Sequence, residues 1–291
     1  MPLELAPMPK DPTALSEIRR EIDAIDAALH DLLVRRAAMV ERVRAAKAVV
    51  DTAASAWRPA REAEILRRLA RRHEGALPLA VVVRIWRELT SALVALQGPF
   101  SVAVFDDPEH GYWDLARDHF GGVVPLTRHG SARGVIQALG EAPTTIGVLP
   151  LPQDGEADPW WPVLMGAAGG PLRIAARLPF ADGGNGRGTG ALVVGSMEQE
   201  PTGDDCSYIL IEAAGPVSRA SLTARLKEAG LVPVFLTGRS EAGAPPLFLA
   251  EVAEFIGPGD ERLAIAAAEG GPVAAIWAVG GYAVPLGGTG R

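Results

Sequence analysis

The sequence predicts a multidomain chain: an all-α three-helix domain that forms a bundle with a second copy, then an α/β lobe, then a small α+β module. Three observations predict it. Apolar residues recur with alternating steps of three and four from residue 15 to residue 43, the period shortens after residue 100, and the glycine-rich stretch ADGGNGRGTG at 181–190 separates two series of strands and helices.

The first helix is read over 15–50, where no proline or glycine intervenes and Leu15, Ile18, Ile22, Ile25, Leu29, Leu32, Met39 and Val43 form a heptad-like seam. The same register puts Arg36 on that seam, where a cation is costly unless an anion meets it. Pro59 suits the first turn of a second helix, which runs to about His73 before Gly75 stops it. A third helix starts at Pro78, carries Val82, Ile85, Leu89, Leu93 and Leu96 on one side, and stops at Gly98 and Pro99. Three helices with so long a first member cannot bury all their apolar faces within one chain, so a homodimer through the long helix is expected.

Beyond residue 100, short β-branched runs at 100–105, 123–126, 145–149 and 172–178 read as strands, with helices at 112–120 and 131–139 between the first three. After the linker come a strand at 191–197 and a second series: strand 208–212, helix 218–229, strands 231–237 and 247–252, helix 260–268, strand 273–279. That βαββαβ order is the ferredoxin-like plan. The expected domains are therefore 1–99, 100–190 with the linker, and 191–291.

Composition narrows the function classes. Apolar residues at 48% and charged residues at 22% exclude a largely disordered chain. One cysteine, Cys206, cannot form an internal disulfide, and residues 1–10 lack an apolar signal core, so a cytoplasmic protein is expected. The uncharged stretch 273–286 is broken by Gly280, Gly281 and Pro285, which argues against a membrane span. Residues 1–100 carry 16 Lys and Arg against 13 Asp and Glu, whereas the rest carry 12 against 22. An acidic chain without a dense basic stripe is no nucleic-acid binder, and the positive N-terminal third suits a small anion. The histidines lack zinc spacing, and no Walker or G-x-S-x-G motif occurs; no metal or cofactor is expected.

Arg36 and Lys47 are eleven residues apart, which brings them to within about 20° on one helix face and about 16 Å along the axis. Such a pair brackets a small dicarboxylate, with guanidinium suited to bidentate binding. Arg19 lies about 25 Å before Arg36 and about 100° around the helix, too far to serve the same site within one chain.

The spacing of Arg19, Asp26, Arg36, Lys47, the pair Arg61 and Glu62, and Gln97 resembles the all-helical chorismate mutases, in particular the mutase domain of bacterial bifunctional chorismate mutase/prephenate dehydratases. The resemblance implies conversion of chorismate to prephenate in an intertwined homodimer, with Arg36, Lys47 and Gln97 catalytic and Arg19, Arg61 and Glu62 binding substrate. It gives Lys47 and Gln97 to the breaking ether oxygen, Glu62 to the substrate hydroxyl, and Arg19 to the site of the other subunit. Two positions depart from the family: Leu93 stands where a serine is frequent, and Arg58 where an aspartate is frequent. An alternative is a weakly active or inactive scaffold or amino-acid sensor for another aromatic-pathway enzyme.

Residues 100–180 resemble the first dehydratase lobe of the same enzymes, with IGVLPLP in place of that family's acid- and amide-bearing motif, and only Thr189 kept from its threonine-arginine-phenylalanine motif. Dehydratase activity is not expected. Residues 206–286 resemble an ACT domain, which implies an aromatic amino-acid effector, although its ligand motifs are altered at VSRASL and LTGRS. Arg67, Arg68, Arg71 and Arg72 read as an exposed helix face, and Trp160 and Trp161 as core or lobe-interface residues, with an exposed aromatic pair that docks a partner as the alternative. A G-x-G-x-x-A match within the linker precedes a strand, the wrong context for a dinucleotide site.

Overall fold

The computed structural model describes residues 12–47, 56–166, 172–181 and 188–287; the side chains of 44–47, Lys47 among them, lie outside the described residues. The chain divides into two units, with the division at residues 52 and 53.

The first unit holds helix α1, Pro12–Lys47. At 1.5 Å per residue its 36 residues extend about 54 Å. Ile18, Ile22, Ile25, Leu29, Leu32, Met39 and Val43 are each more than two fifths exposed, and Arg36 is exposed in line with them.

The second unit opens with α2 (Pro59–Arg72) and α3 (Leu79–Ala95). Pro59 occupies the start of α2, where its missing N–H costs nothing, and Glu62 and the arginines at 71 and 72 complement the helix dipole at its two ends. Ala63, Leu66 and Val83 pack with Phe180, while Trp57, Val94, Phe100 and Phe120 share a second apolar cluster. Arg67 is not part of an exposed face as expected. Its guanidinium donates to Thr202 Oγ1 at 2.7 Å and to the carbonyls of Asp204 and Val284 at 2.7 and 2.8 Å, because it shares the buried side of α2 with Ala63.

A nine-stranded sheet follows, whose strands lie side by side in the order Leu126–His129, Ser101–Phe105, Thr145–Pro150, Ala191–Gly195, Arg173–Leu178, Val273–Ala283, Asp205–Ala213, Leu247–Val252 and Pro233–Arg239. Strands β1 (Ser101–Phe105), β2 (Leu126–His129) and β3 (Thr145–Pro150) are parallel, connected by α4 (Tyr112–Phe120) and α5 (Ala132–Glu141). The strand expected at 123–126 begins three residues later: Pro125 has no N–H to pair, and its carbonyl accepts from Val102 N at 3.0 Å. Strand β5 (Ala191–Gly195) runs antiparallel between β3 and β4 (Arg173–Leu178), so the sheet continues across residue 190.

The rest is the βαββαβ unit: β6 (Asp205–Ala213), α6 (Arg219–Glu228), β7 (Pro233–Arg239), β8 (Leu247–Val252), α7 (Glu261–Ala266) and β9 (Val273–Ala283). Its strand order β9-β6-β8-β7, with every neighbouring pair antiparallel, is the ferredoxin-like arrangement. Strand β9 meets β4 in parallel through one register pair, Ile174 with Gly280. Glycine is required there: φ at Gly280 is +95°, and a Cβ would lie 2.1 Å from the Ile174 carbonyl oxygen. Trp160 and Trp161 are buried in the core as expected, and Trp160 Nε1 donates to the Pro150 carbonyl at 2.9 Å.

Candidate active site

On α1, Arg19 and Arg36 are both exposed, and neither takes part in an ion pair among the described residues. The Lys47 side chain, expected to share a pocket with Arg36, lies outside the described residues. On α2, Arg61 is exposed and pairs with Glu64 at 2.7 Å, one helical turn away.

Glu62 is differently placed. It is buried, and its Oε2 meets Arg87 Nη1 of α3 at 2.5 Å. Burial pushes the Glu62 carboxyl above its ordinary range, opposed by the adjacent Arg87 cation and by the Trp57 indole donor. Arg87, also buried and lowered by that burial, lies over the Phe180 ring at 5.3 Å. His119 of α4 completes the cluster. Its ring contacts Phe120 edge-on at 4.6 Å, and burial first, then Arg87, holds its pKa well below 6.5, so the imidazole is neutral. His119 Nε2 has no hydrogen-bond partner among the described residues. The cavity shared by Glu62, Arg87, His119 and Phe180 is only about 10 Å³, room for a single water.

Sequence reasoning missed Arg87 because it followed only one of the apolar faces of α3. Val83, Arg87, Ser91 and Val94 face inward together with Leu93 of the expected stripe, whereas Ile85 and Leu96 of that stripe are more than half exposed. The helix is apolar on two sides, and Arg87 favours the inner one because Glu62 waits there. The available signal was a lone arginine spaced four residues from Val83 and Ser91.

These residues belong to a region with a recognisable relative. Residues 18–98 match the family model described as chorismate mutase type II. Over these residues the chain is similar to the type II chorismate mutases. The bifunctional chorismate mutase/prephenate dehydratase of Pseudomonas aeruginosa is 30% identical over 150 residues, covering 50% of this chain and 41% of that protein. The protein of the same description from Aquifex aeolicus is 28% identical over 141 residues, covering 47% and 38%. The chain thus spans about two fifths of the length of the curated relatives it matches. Among solved structures, the prephenate dehydratase of Staphylococcus aureus aligns with a TM-score of 0.48 at 11% identity, covering 63% of this chain and all of that one.

Within the matched region, Gln97 follows the end of α3 half-buried, and its amide Nε2 donates to the Leu93 carbonyl at 3.2 Å. Leu93, which stands where a serine is frequent in the family, is buried. Farther along, Thr189 donates its hydroxyl to the His110 carbonyl at 2.5 Å, and His110 Nδ1 is 2.8 Å from Asp107. Among the described residues no group of three or more His, Cys, Asp or Glu is arranged to hold a metal.

Proposed function

We propose that the chain is a homodimeric chorismate mutase that rearranges chorismate to prephenate without dehydrating the product. The observation that carries this reading is the match of residues 18–98 to the type II mutases, in a chain whose α1 presents Arg36 within an exposed apolar seam. A helix of this length with so much exposed apolar surface is stabilised by packing against another helix, and the same seam of a second copy is self-complementary.

The chemistry needs only shape and charge. Chorismate rearranges within one molecule through a chair-like transition state, so the protein must hold the folded conformer and stabilise charge on the breaking ether oxygen. By the resemblance, Arg36, Arg61 and an Arg19 donated across the dimer would fix the two carboxylates. Lys47 and the Gln97 amide would donate to the ether oxygen; an amide keeps its donor at every pH, which suits activity at neutral pH.

Loss of the dehydratase step is supported by the chemistry of the remaining groups. Thr189 is the sole survivor of its motif, its hydroxyl is bound to a backbone carbonyl, and 146–152 bears no acid or amide, Gln153 being the first amide after it. The ferredoxin-like unit is compatible with an ACT-like sensor of an aromatic amino acid. The buried lone thiol Cys206 fits a reducing cytoplasm, and no described helix is long and apolar enough to cross a membrane.

A second reading, a weak or inactive mutase retained as a scaffold or sensor, is favoured by one observation: Glu62, the residue assigned to the substrate hydroxyl, is engaged by Arg87. A chorismate-decay assay on the purified full chain separates the two. Turnover that Arg36→Ala reduces by at least about a hundredfold, the loss of a charge-assisted bidentate contact, supports the mutase. No turnover at micromolar enzyme supports the scaffold, and formation of phenylpyruvate from prephenate would refute the loss of dehydration.

A further inference from the structure

A second cavity lies far along the chain from the mutase residues, where the β4–β9 ladder ends after its single pair. It has a volume of about 320 Å³ and lies among Arg173 at the start of β4, the segment 196–199 after β5, the loop 255–258 after β8, and Ala278 of β9. This is the lower end of the range for small-molecule sites.

The walls are tied together before any ligand arrives. Gln199 donates through Nε2 to the Cys206 carbonyl at 3.2 Å and accepts from the Ser207 hydroxyl at 3.3 Å, and that hydroxyl accepts from Ile256 N at 2.8 Å. The 196–199 and 255–258 segments are thus fixed to the same buried serine. The lining combines the apolar Met197, Phe255 and Ile256 with one cation. Arg173 is half-buried, its Nη1 donates only to the neighbouring Leu172 carbonyl at 3.1 Å, and no carboxylate lies within 4.0 Å of it among the described residues. Burial lowers its pKa, partly offset by the negative charge of Glu198 at the rim.

A partly desolvated guanidinium with free donors over an apolar wall selects its own ligand class. It gains by pairing with an anion in its fork geometry. A single cation with an acidic neighbour disfavours a dianion such as phosphate, and the apolar lining requires a body that leaves water. We propose that this cavity binds a small organic monocarboxylate, its carboxylate on Arg173 and its apolar body against Met197, Phe255 and Ile256.

Titration calorimetry of the full chain with 3-phenylpropanoate, 3-phenylpropanamide and inorganic phosphate tests this. The acid is expected to bind at least about tenfold more tightly than the amide, phosphate not to compete, and Arg173→Met to abolish the preference for the acid. Equal binding of acid and amide, a preference that survives Arg173→Met, displacement by phosphate, or no binding of the acid at millimolar concentration would each overturn the proposal. If Arg173→Met does not fold, Ser196→Phe provides the same decision: it keeps the cation and fills the cavity, and unchanged affinity for the acid would refute the site.

Discussion

The Glu62 carboxylate of α2 and the Arg87 guanidinium of α3 meet at 2.5 Å with both residues less than a tenth exposed. A buried pair of this kind adds little net stability by itself, but removing one partner leaves an uncompensated charge. Arg87→Met should therefore destabilise the fold by about 3–5 kcal/mol. The double variant Glu62→Gln, Arg87→Met should recover part of that loss, because the stranded carboxylate is gone. Urea denaturation of the parent and the two variants measures both effects, and an Arg87→Met protein within about 0.5 kcal/mol of the parent would show that the pair is solvated in solution.

His119 supplies a pH dependence with a definite sign. Its folded pKa is depressed well below 6.5 by burial and by Arg87, whereas the unfolded chain takes up a proton near 6.5. Its contribution is complete above 6.5 and is lost as pH falls toward the folded pKa, by up to about 1.4 kcal/mol per pH unit. Urea midpoints at about pH 5.5 and about pH 7.5 should differ in the parent, and the difference should shrink in His119→Leu. An equal pH effect in both proteins would assign it to other groups.

A third buried network spans β4, β8 and β9. The Tyr282 hydroxyl donates to Glu251, and Arg177 Nη1 donates to that hydroxyl at 2.9 Å. Burial and the neighbouring Glu251 charge raise the Tyr282 pKa, so the hydroxyl stays protonated and able to donate. Tyr282→Phe keeps the ring and removes the bridge. A loss of about 1–3 kcal/mol is expected in thermal or urea unfolding, since Glu251 and Arg177 each lose a partner in a buried setting. No loss would mean that water replaces the hydroxyl.

Local rules carried much of this fold. The seam of α1, the proline that starts α2 and the βαββαβ order are written in residues close together in the chain, where period and punctuation decide. What local rules left open was non-local. The strand expected from residue 191 is there, but its partners β3 and β4 are found by long-range pairing, α3 has two apolar stripes and no local rule for choosing between them, and Arg67 reaches carbonyls more than a hundred residues away. The candidate site divides the same way. Arg36 is legible as a cation on an apolar seam, whereas the partner of Glu62 lies on another helix 25 residues on, and only tertiary packing brings Arg87 to it.

The exposed seam of α1 leads to the last prediction. Leu29 and Leu32 are each more than half exposed in the single chain, on a helix about 54 Å long. If a second copy covers them, as the proposed dimer requires, a charge introduced there is buried without a partner at the interface. Leu29→Glu should convert the dimer to monomer in analytical ultracentrifugation and abolish chorismate turnover, because Arg19 is then no longer supplied across the interface. Leu77→Glu, an exposed apolar position outside α1, should leave both unchanged and so controls for a general effect of surface charge. A Leu29→Glu protein that still sediments as a dimer would place the interface elsewhere, and one that is monomeric yet fully active would show that the site is complete within one chain.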